Sequence, residues 1–308
     1  MFEIVKVFLW RVLNFPKIRK EYNKTKASRS KLNILTSEAT ISHILKYNCS
    51  VSRFGDGEFQ MMGHYVAQGN EQNFGVDTFQ NYDVKLAERL LEVFQSSLNN
   101  HLVCMPYAFK DSAVSKLGAR MFWEREWNGR IEMLKNLNLD RLFGDTNFTR
   151  FYMDRLDIKN YPEYIKHLKK IWQDKDLLIV EGKMSRLGVG NDMFDNTKSI
   201  ERLLCPPQNA FQLYDTILEK VKRNGENKLI LVALGHTATV LTYDLSAAGH
   251  QAIDIGHVDI EYEWYKLGAK KKVKVPNKYV NEVMQGRIDK ADFDSVYQSQ
   301  IIDEIQTI

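Results

Sequence analysis

Cysteine is scarce: Cys49, Cys104 and Cys205 are the only three in 308 residues, an odd number without close pairing. That excludes a disulfide framework and a thiolate zinc site, and a reducing cytoplasm fits. A dominant charge is also missing. The formal net charge is +4, and residues 1–32 hold nine Lys or Arg against Glu3 and Glu21, so the rest of the chain is slightly acidic. A nucleic-acid-binding body would spread basic charge over its folded surface, so nucleic acid is not an expected partner. No secretory signal is expected, because positive charges do not precede the first apolar run and no small-residue cleavage site follows it. That run, interrupted by Lys6 and Arg11, is too short and too charged to span a bilayer. Neither a Gly-Lys-Ser/Thr phosphate loop nor a Gly-X-Gly-X-X-Gly fingerprint follows a strand-like segment.

What is present is an ordinary globular composition, 44% hydrophobic and 27% charged, enough for one large α/β domain. Residues 1–34 read as a basic amphipathic segment and linker, the polar stretch 23–32 being the linker, and residues 35–308 as a single domain with a basic extension around Lys270. A helix over residues 2–20, with Trp10 among its apolar residues and Lys17, Arg19 and Lys20 after them, suits an anionic membrane surface. Packing on the body or on another subunit is the alternative. Apolar spacing predicts helices over 36–46, 58–68, 83–97, 112–137, 210–223 and 236–248, and strands over 49–54, 101–109, 177–182, 228–235 and 251–260. Phe122, Trp123 and Trp127 read as core aromatics. Strands that are apolar throughout, alternating with helices, predict a Rossmann-like fold: a mainly parallel sheet flanked by helices, with ligands at the carboxyl ends of the strands.

Several stretches lie at those ends. In Arg53-Phe-Gly-Asp-Gly-Glu58, an extended backbone turns Asp56 and Glu58 the same way, so both carboxylates reach one Mg²⁺ or Mn²⁺; a plain polar turn is the alternative. Beyond Glu181, the loop 185–192 offers Gly188 and Gly190 for close backbone approach to a phosphate, with Arg186 for charge and Asn191 and Asp192 closing it. Gly235, His236 and Thr237 open a helix directly after a strand, where a phosphate suits the helix N-terminus and Thr237 also suits an N-cap. His257, Asp259, Glu261 and Glu263 alternate along the predicted last strand and require a cation or basic neighbours on that face. Arg150 and Asp154, among aromatics, suit either a phosphate or sugar grip or a structural salt bridge.

As an ordered set, Arg53–Glu58, Ile179–Gly182, Ser185–Asp192, Ala233–Thr239 and Asp254–Trp264 resemble the bacterial GT-D fold glycosyltransferases, over residues 35–268. The resemblance implies an Asp-X-Glu motif at Asp56 and Glu58 that uses Mn²⁺ or Mg²⁺ to hold the diphosphate of a UDP-sugar, with Arg53 assisting. It implies transfer of a hexose, glucose or galactose, to a glycan, glycoprotein or lipid-linked acceptor in surface polysaccharide or glycoprotein synthesis. Glu263 is the first choice to accept the acceptor's proton, with His257 or Asp259 second. The implied location is cytoplasmic, with the N-terminal helix positioned to meet the inner face of the cell membrane. A non-catalytic nucleotide- or glycan-binding protein and a metal-dependent phosphohydrolase are the competing expectations.

Overall fold

The computed structural model describes residues 2–68, 80–283, 286, 288 and 290–306, with the backbone alone for residues 2–9, 11, 12 and 68. Nine strands form one sheet: β1 Asn33–Ile34, β2 Ser50–Arg53, β3 His101–Met105, β4 Leu142–Asp145, β5 Asp176–Gly182, β6 Ser199–Cys205, β7 Leu229–Ala233, β8 Ala252–Asp254 and β9 Ile301–Glu304. Their order is β1-β4-β3-β2-β8-β7-β5-β6-β9, and every pairing is parallel. Both faces are covered, which explains the unbroken apolar runs. Leu177 and Ile179 point into one core with the helices Ser37–Tyr47, Tyr161–Lys169 and Val258–Lys266. Leu178 and Val180 point into the other, against the helices Tyr214–Asn224 and His236–Ala247.

Local capping sets several boundaries as the sequence predicts. Thr36 accepts from the Ala39 N-H at 3.2 Å to start its helix, and Asp83 accepts from the Leu86 N-H at 3.0 Å to start Val84–Gln95. Other boundaries differ. The helix after β2 begins at Asp56, inside the supposed extended segment. The last predicted strand stops at Asp254, and Val258–Lys266 is helical. The strand predicted over 101–109 ends at Met105 and gives way to a short helix, Tyr107–Lys110, and the long helix spans Leu117–Leu134. Strands β1, β4, β6 and β9 were not expected. In β6, Glu201 and Arg202 break the apolar run, yet Arg202 is buried because its guanidinium pairs with Glu181 on β5 at 2.7 Å.

The N-terminal segment is a helix, Phe2–Lys24, followed by a short one, Lys26–Arg29. Its carboxyl half is not a free linker. Arg19 pairs with the fully buried Glu124 at 2.5 Å, Asn128 donates to the Ile18 carbonyl at 3.0 Å, and Trp127 Nε1 donates to Thr25 Oγ1 at 2.9 Å. Arg29 is buried and donates to the carbonyls of Tyr22, Phe109 and Lys110. The amphipathic expectation for residues 2–9, 11 and 12 concerns side chains outside the described ones. Among the described residues, no helix is long and apolar enough to cross a membrane.

Candidate active site

Strand order reverses between β2, whose chain continues to β3 on one side, and β8, which joins β7 on the other. Ligands in open α/β sheets sit in the crevice beyond such a reversal. Here a cavity of about 740 Å³ opens across the strand ends, a volume typical of small-molecule sites. β2 delivers Arg53, Asp56 and Glu58, β8 delivers Asp254 and His257, β7 delivers Gly235 and His236, and the stretch after β4 delivers Asn147 and Arg150.

Asp56 and Glu58 share this cavity, but not by strand alternation. Gly55 caps the helix, and Glu58 Oε2 reaches back to accept its N-H at 2.7 Å, a capping arrangement that fixes the first turn. The Glu58 Oε1 atom lies 4.0 Å from His236 Nε2. That approach requires glycine at 57, where a Cβ would collide with the His236 ring. Asp56 sits at the open side of the cavity and forms no hydrogen bond with another described side chain. Surrounding protein raises its proton affinity, and the Glu58 charge adds to that. Two carboxylates lining one cavity, one of them without a side-chain hydrogen bond among the described residues, are a fitting pair for a hard divalent cation completed by phosphate oxygens and water. Among the described residues, no cluster of three or more His, Cys, Asp or Glu could hold a metal by itself.

Arg53 lines the cavity but is committed to protein. It pairs with Asp254 at 3.0 Å and donates to Thr149 Oγ1 at 2.9 Å and the Thr146 carbonyl at 3.2 Å. At Gly256, φ is +42°, and a Cβ would strike the Arg53 guanidinium. Burial pushes Asp254 up to about 6, against the pull of Arg53.

The loop 185–192 has different work from the phosphate cradle its glycines suggest. Of its residues, only Ser185 and Leu187 line the cavity. Glu181 is fully buried, pairs with Arg202 and accepts from the Leu187 N-H at 2.8 Å, so it anchors the loop. Arg186 turns away, donating to the Asp292 carbonyl at 2.9 Å and lying 5.1 Å over the Tyr297 ring. The Gly188 N-H and Asn191 both donate to Asp259, at 2.9 and 2.8 Å, and Gly190 lies outside the lining. Asp192 accepts from the Tyr262 hydroxyl at 2.8 Å and is held down to about 2. Thr237 is fully enclosed away from the lining, whereas Gly235 and His236 face the cavity.

The second acidic stretch is rearranged by its helix. Asp259 and Glu263, four apart, share a face and clamp Lys278 at 2.7 and 2.8 Å. Glu261 points elsewhere and accepts from the Tyr152 and Met153 N-H groups, both at 2.8 Å. Glu263 is off the cavity, and Asn191 also donates to it at 2.6 Å. His257 lines the cavity with both nitrogens engaged: Nδ1 faces the Arg150 guanidinium at 3.1 Å and Nε2 lies 2.7 Å from Asn281 Oδ1. Burial and Arg150 push it down to about 4, so the ring is neutral at physiological pH. Of the three residues expected to take the proton, His257 and Asp259 line the cavity and Glu263 does not, and all three are engaged by protein partners.

The cavity also contains Arg150, a candidate phosphate or sugar grip from the sequence, together with Lys272 and Glu282, which the sequence pattern missed. Arg150 and Lys272 both pair with Glu282, and Lys272 also pairs with Asp154 at 3.3 Å. Arg150 and Asp154 do make structural salt bridges, but not with each other. Phe122 and Trp123, edge-to-face at 5.0 Å, are half-buried and wall the cavity, while Trp127 alone of that trio is core.

A parallel α/β sheet with a polar, carboxylate-bearing crevice at the strand reversal defines a Rossmann-like class of protein that takes its ligands at the strand ends. The model of the glycosyltransferase GT-D fold matches residues 51–283, and the chain belongs to that family. A solved structure described as domain of unknown function 1792 with a distinct glycosyltransferase fold is 40% identical and superposes with a TM-score of 0.84, covering 92% of this chain and all of that one. A new glycosyltransferase of the same domain type from Streptococcus sanguinis is 37% identical, with a TM-score of 0.81 over 89% of this chain and all of its own. The probable glycosyl transferase Gly of Streptococcus gordonii is 36% identical over 272 residues, 88% of this chain and 38% of that protein. Glycosyltransferase GlyD of Streptococcus pneumoniae is 37% identical over 270 residues, 87% of this chain and 32% of that protein. The chain thus spans about a third of the length of these curated relatives.

Proposed function

We propose that the chain transfers a hexose, glucose or galactose, from a UDP-sugar to a hydroxyl of a glycan, glycoprotein or lipid-linked acceptor with the help of Mn²⁺ or Mg²⁺. The observation that carries this reading is the charge of the cavity, whose lining includes six carboxylates against four Lys or Arg. A diphosphate entering such a site needs a divalent cation to be attractive rather than repelled. Asp56 and the Oε1 atom of Glu58 would hold it, and the bound ion would neutralise charge on the departing diphosphate. The helix that begins at Asp56 adds its N-terminal dipole, which favours the same anion. Phe122 and Trp123 offer an apolar wall for a sugar ring.

A mass-detected screen of nucleotide sugars tests the reading. A hexose should pass from a UDP-sugar to acceptor or water, with UDP released, in Mn²⁺ and not in EDTA. Inorganic phosphate as the sole product would instead mark a phosphohydrolase, and UDP binding without turnover a non-catalytic binder.

The N-terminal helix supports a peripheral membrane contact. Trp10 and Leu13 are 46% and 75% exposed, and Lys17, Lys20 and Lys24 are exposed along the same helix. Aromatic, aliphatic and basic side chains together suit an anionic headgroup layer. The full chain should sediment with phosphatidylglycerol vesicles and not with phosphatidylcholine vesicles, and about 0.5 M salt should release it. Equal sedimentation with both would contradict an electrostatic contact.

A further inference from the structure

The sequence gives no hint that Arg150, Lys272 and Glu282 meet. The stretch 267–283, between the helices Val258–Lys266 and Ser295–Gln300, lacks regular secondary structure yet is well fastened. Trp264 Nε1 donates to the Val273 carbonyl at 2.9 Å, the Tyr279 N-H donates to the Met184 carbonyl at 2.9 Å, Lys278 is clamped by Asp259 and Glu263, and Val275 and Val280 are buried. Four residues of this anchored strap, Lys272, Tyr279, Asn281 and Glu282, line the cavity. Asn281 meets His257, and Glu282 meets Arg150, the residue that His257 Nδ1 also faces. The Glu282 carboxylate also lies 2.6 Å from Lys272 Nζ. One carboxylate is therefore held by two cations inside the cavity, and their charges keep it ionised well below the usual carboxylate range.

We propose that Arg150 and Lys272 are the cationic contacts for the donor's diphosphate, and that Glu282 is the internal anion occupying them until the donor displaces it. This rests on the proposed UDP-sugar reading of the same site. Three observations support it. Of the four cationic side chains in the lining, Arg53 is tied to Asp254 and Arg155 is buried between Asp145 and Asp157, at 2.8 and 2.5 Å. Those two hold buried carboxylates whose loss would leave charge uncompensated, whereas the partner of Arg150 and Lys272 is a side chain on the cavity wall. Second, Arg150 and Lys272 line the same cavity as Asp56 and Glu58, so all four groups border the space that a diphosphate would enter. Third, the strap is fixed by residues other than Glu282, so exchange requires only that one side chain turn aside. A guanidinium binds a phosphate through paired N-H donors at least as well as it binds a carboxylate, so the exchange is favourable in kind as well as in charge.

The test is calorimetric titration of the full chain with UDP and, separately, with uridine, both in Mn²⁺. Glu282→Gln removes the competing charge and keeps the side-chain shape, so UDP should bind about tenfold more tightly and uridine unchanged. Lys272→Met should weaken UDP about tenfold and leave uridine alone. A thermal scan of each variant checks that the strap remains folded. If Glu282→Gln left UDP affinity unchanged or weakened it, Glu282 would be a structural latch and the proposal would be overturned. An equal gain for uridine would also overturn it, since that would mean a general opening of the cavity. If wild-type protein bound UDP with none of these changes, only this inference would fail. If wild-type protein did not bind UDP at all, the UDP-sugar reading would fail with it.

Discussion

Asp56→Asn should lower metal-dependent sugar transfer by roughly a hundredfold to a thousandfold, the scale seen when one preorganised electrostatic group is removed. The folded state should hardly notice. Among the described residues Asp56 has no side-chain hydrogen-bond partner; it is exposed on the cavity lining and is repelled by Glu58. Losing its charge at a helix N-terminus costs about 0.3–1 kcal/mol, so the melting temperature should move by only a few degrees. The loss should appear as weaker Mn²⁺-dependent binding of UDP, with uridine binding retained. Glu58→Gln is a less clean probe, because Glu58 also caps the helix through the Gly55 N-H. Full activity in the Asp56 variant would remove the basis for the metal assignment.

Arg202→Met should have the largest effect on stability. It leaves Glu181 fully buried without its cation, for which about 3–5 kcal/mol is typical, and thermal unfolding should begin about 10 °C lower. Replacing both partners with apolar residues, Glu181→Leu with Arg202→Met, should recover most of that loss, because a buried pair is costly mainly when one partner is left alone. Glu181→Gln separates the two roles offered for this residue. A structural anchor predicts a lower melting temperature with an unchanged KM for donor, whereas a donor-binding residue predicts the reverse. The contacts to Leu187 and Arg202 favour the first outcome.

The fold was legible where one physical signal dominated. Leu177–Val180 and Leu229–Val232 are apolar on both faces because helices cover both sides of the sheet, and nothing but a parallel strand explains such runs between helices. Apolar spacing placed two helix starts at Thr36 and Asp83, where the side chains of these residues cap the first turns. β6 was hidden because Arg202 makes an interior position look exposed, and its partner Glu181 lies on another strand. At 257–263 the same acidic residues suit either a strand face or a helix, and the difference decides the chemistry. On a strand His257 and the three acids would share one side, whereas in the observed helix Asp259 and Glu263 clamp Lys278 while Glu261 turns to the Tyr152 and Met153 N-H groups.

The site was legible only in part for the same reason. Asp56, Glu58, Arg53, Gly235, His236 and His257 do come together in one cavity. Arg186, Gly190, Asn191, Asp192 and Thr237 do not line it, because the glycine-containing loop folds against the helix Val258–Lys266 rather than over the strand ends. Glycines after a buried strand signal a turn, and the partners of the turn decide whether its N-H groups remain available to a ligand. Arg150 and Glu282 are 132 positions apart, and no local pattern joins them. Phe122 and Trp123 sit one turn from the buried Trp127, so helical spacing alone cannot separate cavity wall from core.

The most direct measurement is a crystal structure of the protein with UDP and Mn²⁺. The metal should lie between Asp56 and the diphosphate, with Arg150 and Lys272 on the phosphates and Glu282 turned away from them. A diphosphate seated instead over Gly188 and Gly190, with no metal at Asp56, would contradict it.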